Sequence, residues 1–296
     1  MRQKGDKMAN FVITTDSSSD LPVEWLQENQ VESISLNYIL DGETYGGKNE
    51  LPPKEFYDLM RTGKMPTTNA CNPEEAKDMF LRHVEKGEAV LHIAFSSGLS
   101  ASFNNARLAA EEVMEENPEA KIIVVDTLAA SLGEGLLVYY AAKMRDQGAT
   151  LEETAQWLED NKLNLCHEFT VDDLFHLHRG GRVSKAVAIV GTLINVKPVM
   201  HVDNEGHLTP VCNARGRKKS LNKLVEHMAE RVADYDGKND VVFITHGDCL
   251  EEAEYVAKLV REKFGIQDIM INFVSPTIGA HSGPGTMALF YMGSHR

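Results

Sequence analysis

Ala89-Val90-Leu91-His92-Ile93-Ala94-Phe95 leads directly into Ser96-Ser97-Gly98-Leu99-Ser100, and from there into the helical pattern of Ala101 to Asn117. An apolar run, a turn of small residues and then a helix is the repeating unit of a parallel sheet, whose strands need crossover helices to return. The alternation extends to both sides. Phe11 to Thr15, Ser33 to Leu40 and Lys121 to Asp126 read as further strands. Pro22 to Asn29, Pro53 to Arg61, Pro73 to Lys86 and Gly133 to Gln147 read as helices. Asp20 ahead of Leu21-Pro22, and Asn72 ahead of Pro73-Glu74-Glu75, are placed as N-caps.

Beyond these the pattern changes. Val199 to Asp203 and His207 to Ala214 flank Asn204-Glu205-Gly206, a short turn between extended segments, which predicts an antiparallel hairpin. Helices follow at Arg217 to Tyr235 and Leu250 to Phe264, with strands at Asp240 to Thr245 and Ile269 to Val274. The expectation is an α/β protein of two domains. Residues 1–160 form a mostly parallel sheet with flanking helices, residues 161–296 an α/β domain with an antiparallel hairpin, and the change falls within Gly148 to Cys166. A chain of 296 residues fits two domains better than one.

Charge narrows the partners. With 30 Lys and Arg against 44 Asp and Glu, the net charge of -14 disfavours nucleic acid and anionic membranes. Any anion site must then be a local exception. Met1 to Asn10 has no apolar core of a secretory signal, and Ala186 to Val196 is too short to span a bilayer, so a cytoplasmic location without a transmembrane segment is expected. Cys71, Cys166, Cys212 and Cys249 have no C-x-x-C spacing, which suggests neither zinc nor a disulfide framework.

Two loops carry the chemistry. Ser96 to Ser100 and His281-Ser282-Gly283-Pro284-Gly285-Thr286 contain hydroxyls, one imidazole and glycine backbone, and no Lys, Arg or carboxylate. Such groups hold a carboxylate or phosphate through hydroxyl and N–H donors, aided by the dipole at a helix start. The plainer reading makes Ser100 a helix cap and His281 a packed histidine. Gly283-Pro284-Gly285-Thr286-Met287-Ala288 matches G-x-G-x-x-A, but the chain after it is too short for a dinucleotide unit. Arg179-Gly180-Gly181-Arg182 and Arg215-Gly216-Arg217-Lys218-Lys219 are basic in an acidic chain; the second opens a helix against its dipole, which suggests an external anionic partner. Ser97, His281 and Asp126 also supply the residue types of a triad, so a serine hydrolase acting on a lipid ester or thioester is the alternative, although the G-x-S-x-G elbow and Walker A patterns are missing.

Read together and in order, these motifs resemble the DegV family of fatty-acid-binding proteins along nearly the whole chain. The stretches that carry the resemblance are Thr15 to Pro22, Pro66-Thr67-Thr68, Ser96 to Ser100, Asp172 to Leu174, Arg179 to Ser184, Lys197-Pro198, Arg215 to Arg217, His246-Gly247-Asp248 and His281 to Thr286. Asn69-Ala70-Cys71 after Thr68, and Ala101-Ser102 after Ser100, depart from the family pattern. The resemblance implies a non-enzymatic lipid carrier with no cofactor or metal. A long-chain fatty acid would lie between the domains, its carboxylate held by Thr68, Ser97 and His281, with Ser96 and Ser100 nearby. It also implies a separate fatty acid kinase as partner, for acyl-phosphate formation, with Arg179, Arg182 and Arg217 expected at the docking face. Leu136 to Ala142 and Ala186 to Ile194 are candidate linings for the acyl channel, with ordinary core helix as the plainer reading of each.

Overall fold

A computed structural model describes residues 11–185, 187 and 195–296. Along its first part run β1 (Phe11–Asp16), α1 (Val23–Glu28), β2 (Val31–Ile34), β3 (Tyr38–Leu40), β4 (Glu43–Tyr45), α2 (Pro53–Arg61), β5 (Thr67–Thr68), α3 (Pro73–Val84), β6 (Ala89–Ala94), α4 (Ser102–Glu116), β7 (Ile122–Asp126), α5 (Leu132–Asp146) and α6 (Leu151–Asn161). The second part contains β8 (Leu165–Thr170), α7 (Leu174–Arg179), β9 (Val196–Val202), β10 (Leu208–Arg215), α8 (Arg217–Val232), β11 (Val241–His246), α9 (Leu250–Phe264), β12 (Asp268–Phe273), α10 (Pro276–Ser282) and β13 (Met287–Met292).

Three sheets result among the described residues. The first is parallel, in the order β2-β1-β6-β7. The second is mixed, β10-β9-β8-β13-β11-β12, with only β11 and β12 parallel. A small antiparallel sheet, β4-β3-β5, projects from the first part. The α/β class, the parallel first sheet and the β9–β10 hairpin are as the sequence predicts.

Some local expectations are corrected. Ser33 to Leu40 is not one strand: β2 stops at Ile34 and β3 belongs to another sheet. The residues between are held elsewhere, since Leu36 N–H donates to Ser17 Oγ at 2.9 Å and Leu36 O accepts from Thr277 at 3.0 Å. Asn72 caps α3, accepting from Glu74 N–H at 3.0 Å, but Asp20 does not cap α1, whose N-cap position is Pro22. Asp20 sits at φ 54°, and its carboxylate accepts from the Ser131 hydroxyl and from Ser275 N–H at 3.1 Å. Leu136 to Ala142 belong to the buried face of α5 in the main core and do not line the cavity described below. Of the candidate lining Ala186 to Ile194, all but Val187 lies outside the described residues.

The two large sheets share one apolar core. Its members include Ile13 and Ile93 from the parallel sheet, Phe169, Phe243 and Phe290 from the mixed sheet, and Leu136 of α5 between them. A polar clamp adds to this. Arg296 is 8% exposed and donates to five carbonyls: Leu165 at 3.0 Å, Leu128 at 2.7 Å, Asp203 at 2.9 Å, Thr127 at 3.3 Å and Lys162 at 2.7 Å. It therefore joins the end of β7, the start of β8 and the hairpin turn. Burial pushes its guanidinium down to about 10, still charged at neutral pH. Removing it strands several buried acceptors, so Arg296→Ala is expected to lower the unfolding free energy by at least about 2 kcal/mol, and Arg296→Lys to restore only part of it. Urea unfolding followed by circular dichroism measures the loss; a change below about 0.5 kcal/mol would show that the clamp is dispensable.

Candidate functional site

Beyond the carboxyl ends of β1 and β6, and walled by the small sheet, α10 and the mixed sheet, lies a cavity with about 180 Å³ open to the centre of a water molecule. Ligands in open α/β sheets occupy this end of the strands. Most of the lining is apolar, with Phe95, Leu99, Phe169, Val202, Leu208 and Phe290 prominent. Register explains several of these at once. Thr245 of β11 pairs with Ala288 of β13, which pairs with Phe169 of β8, so the three side chains form one row on one face of the mixed sheet. Val202 and Leu208 pair at the base of the hairpin turn.

On the lining of this cavity Thr68 and His281 meet. The Thr68 hydroxyl and His281 Nε2 are 2.7 Å apart, although 213 residues separate them. Helix α10 holds His281, and the Tyr57 hydroxyl, donating to Val274 O at 2.8 Å, ties α2 to the segment just before α10. Gly180 explains part of the Arg-Gly-Gly-Arg motif: a Cβ there would lie 2.1 Å from His281 Nδ1, so only glycine lets α7 pack against the imidazole. Burial, then the charges of Arg182 and Arg179, push His281 down to about 3, and the ring is neutral at physiological pH.

The remaining site expectations divide. Ser100 and Arg182 line the cavity with Thr68 and His281. Ser282 lines it too, buried, with its hydroxyl lacking a partner among the described residues; sequence reading quoted this serine but assigned it nothing. Ser97 does not join them. It is exposed, and its N–H donates to Asp126 Oδ1 at 3.1 Å. Ser96 is structural: its hydroxyl donates to Gly206 O at 3.0 Å, locking the serine loop to the hairpin turn. Gly98 allows that approach, since a Cβ would lie 2.6 Å from Glu205 O.

With Ser97 outside the cavity and Asp126 engaged by the Ser97 and Leu128 N–H groups, the Ser97–His281–Asp126 triad is not assembled. The docking arginines also turn inward. Arg179 donates to Ala280 O at 2.8 Å, Arg182 to Leu99 O at 3.2 Å and to Gly180 O, and Arg217 to Glu252 Oε2 at 2.6 Å and to Gly285 O. At the start of α8 the Arg217 charge is thus answered from within the chain, while Lys218 and Lys219 stay exposed.

Residues 10–294 match the profile of a family described as "Uncharacterised protein, DegV family". The chain belongs to the DegV family. It is 42% identical over 288 residues to a DegV domain-containing protein of Clostridium perfringens, covering 97% of this chain and 98% of that one. Among solved structures it resembles a DegV family protein of Thermus thermophilus, reported for its fatty acid binding, with a TM-score of 0.85 and 29% identity over 96% of this chain and 99% of that one. Similar values, 0.83 and 29% over 96% and 99%, relate it to DegV of Bacillus subtilis, described as a fatty acid binding protein. No described helix is long and apolar enough to cross a membrane.

Behind one wall of the cavity, this DegV-family chain buries three carboxyl groups, Asp16, Asp20 and Glu134. Proton counting sets the state of one of them. The Thr15 hydroxyl has a single proton and lies 2.8 Å from Ile93 O, which only accepts, and 2.9 Å from Glu134 Oε1. The second contact then needs the proton of a neutral Glu134. Burial, and next the nearby Asp16 charge, raise Glu134 well above the usual carboxyl range, in agreement. Burial also raises Asp16 to about 6 and, against hydrogen bonds from Ser131 and Ser275, Asp20 to about 7.

The linkage sign follows. A folded-state value of about 7 against an ordinary 3.8 means that the folded form holds the Asp20 proton more tightly, so this contribution to stability is present below pH 3.8 and is lost as pH rises through 7. The stability of the wild type relative to Asp20→Asn, which does not titrate, is therefore expected to fall across that window. Paired urea titrations at several pH values read the difference, and a pH-independent difference would contradict the assignment.

Proposed function

We propose that this protein binds one long-chain fatty acid, with the carboxylate at the Thr68–His281 pair and the acyl chain in the apolar cavity between the two sheets. The carrying observation is that a neutral, hydrogen-bonded imidazole–hydroxyl pair opens into an otherwise mostly apolar enclosure. The fatty-acid-binding relatives support the same reading. Each buried methylene contributes about 0.8 kcal/mol, so the tail supplies most of the affinity and the polar end sets direction.

The head group is assigned to Thr68, His281 and Ser100, joined by Arg182 and Ser282; Ser96 and Ser97 have no part in it. His281→Ala and Thr68→Ala are each expected to weaken fatty acid binding about tenfold, for the loss of a hydrogen bond to a charged group, whereas Ser97→Ala binds as the wild type does. Calorimetric titration of delipidated protein gives these values. Denaturing extraction and mass spectrometry of the purified protein tests the reading itself: fatty acid at near one equivalent supports it. Protein that carries none and takes up none when it is added refutes it.

Delivery of the bound acid to a separate fatty acid kinase, for acyl-phosphate formation, is the second part of the proposal and rests on the family resemblance. No docking residue is assigned, because the three expected arginines are committed to internal acceptors. ATP consumption by such a kinase on a fatty acid should depend on this protein, and turnover independent of it would defeat the carrier role.

A further inference from the structure

Ser131 stands immediately before α5 at φ 58°, ψ -149°, a backbone state left almost wholly to glycine. Its hydroxyl does not cap the helix that follows. Instead it donates to Asp20. A hydroxyl has one proton, so in the 3.0 Å contact between the Ser131 and Thr245 hydroxyls the donor is Thr245. Nearby, Ser18 donates to Glu134 Oε2 at 3.1 Å. All three residues line the cavity, on elements other than those that carry Thr68 and His281. All three protons are directed into the protein, and the hydroxyl capacity that remains is lone pairs.

The cavity is therefore polar in two opposite senses. The part of its lining near Thr68 and His281 offers donors, the Arg182 guanidinium and the Ser282 hydroxyl, which has no partner among the described residues, and these suit a carboxylate. The wall of Ser18, Ser131 and Thr245 offers acceptors, which a carboxylate or an unsubstituted hydrocarbon cannot satisfy. A hydroxyl on the ligand can. The strain at Ser131 sharpens the point, because glycine would meet the backbone's needs there without strain, and the one polar group that serine adds is its hydroxyl.

We propose that this wall accepts a hydrogen bond from a hydroxyl carried on the acyl chain, and that the preferred occupant is a monohydroxylated long-chain fatty acid. The proposal rests on the fatty-acid reading above and adds the chemical class of the chain.

The test is calorimetric titration of delipidated protein with octadecanoate and with monohydroxylated octadecanoates that differ in hydroxyl position. It is run near pH 8, about one unit above the Asp20 value of about 7, so that Asp20 is an ionised acceptor. One hydroxylated isomer is expected to bind about three- to tenfold more tightly than octadecanoate, the worth of one net hydrogen bond. In Ser131→Gly and in Thr245→Val that ratio falls to about one. Ser131→Gly relieves the backbone but also removes a hydrogen bond to the buried Asp20, so unchanged binding of octadecanoate itself in both variants is the readout that separates loss of selectivity from loss of fold. If octadecanoate binds and no hydroxylated isomer binds more tightly, or if the preference survives in both variants, the proposal is overturned while the fatty-acid reading stands. If no acid of either kind binds, both fall.

Discussion

Helix α5 is buried on nearly every side, and the rest of the molecule is arranged around it. Leu132, Leu136, Leu137, Val138 and Ala141 are fully buried, and the helix touches β1 and β6 of the parallel sheet as well as β8, β11 and β13 of the mixed sheet. A helix that is apolar around most of its circumference needs cover on more than one side, and here two sheets provide it. The cavity is a consequence of that arrangement. Where α5 begins, at Ser131, the sheets are no longer separated by helical side chains, and the small sheet and α10 close the space that remains.

Polar groups are then placed by what the enclosure can tolerate. Burial keeps His281 neutral and holds Glu134 in its acid form, so the interior carries hydrogen-bonding capacity with little net charge. Arg179 and Arg182, beside His281, are anchored on backbone carbonyls, which fixes their direction without covering them with carboxylates. In the proposed complex a carboxylate would meet donors that are already oriented, leaving little side-chain ordering to oppose binding.

The sequence disclosed the fold well wherever local pattern and tertiary role agreed. The run from Ala89 to Phe95, the proline-led starts of α2 and α3, and the turn at Asn204 to Gly206 each carry their structure in composition alone. Failures cluster where a residue's partner is remote. Asp20 has the chemistry and position of a cap but serves Ser131 and Ser275. Arg217 looks like an exposed charge and is paired with Glu252 on α9. Ser97 sits in the right motif but faces solvent, while Ser282, in the other loop, presents a hydroxyl with no partner among the described residues. Within a five-residue loop, spacing does not show which serine faces inward.

By itself, then, the sequence determined the α/β class, the parallel first sheet, the hairpin and the family, and it singled out Thr68 and His281, which the fold brings into contact on the cavity lining. These follow from periodicity, turn chemistry and ordered motifs, all of them properties of short stretches. The tertiary structure decided which hydroxyls reach the cavity, where the arginines point and which carboxyl groups lose contact with water. Those outcomes depend on distances between residues one to two hundred positions apart, and on a low-polarity interior that exists only once both sheets have closed on α5.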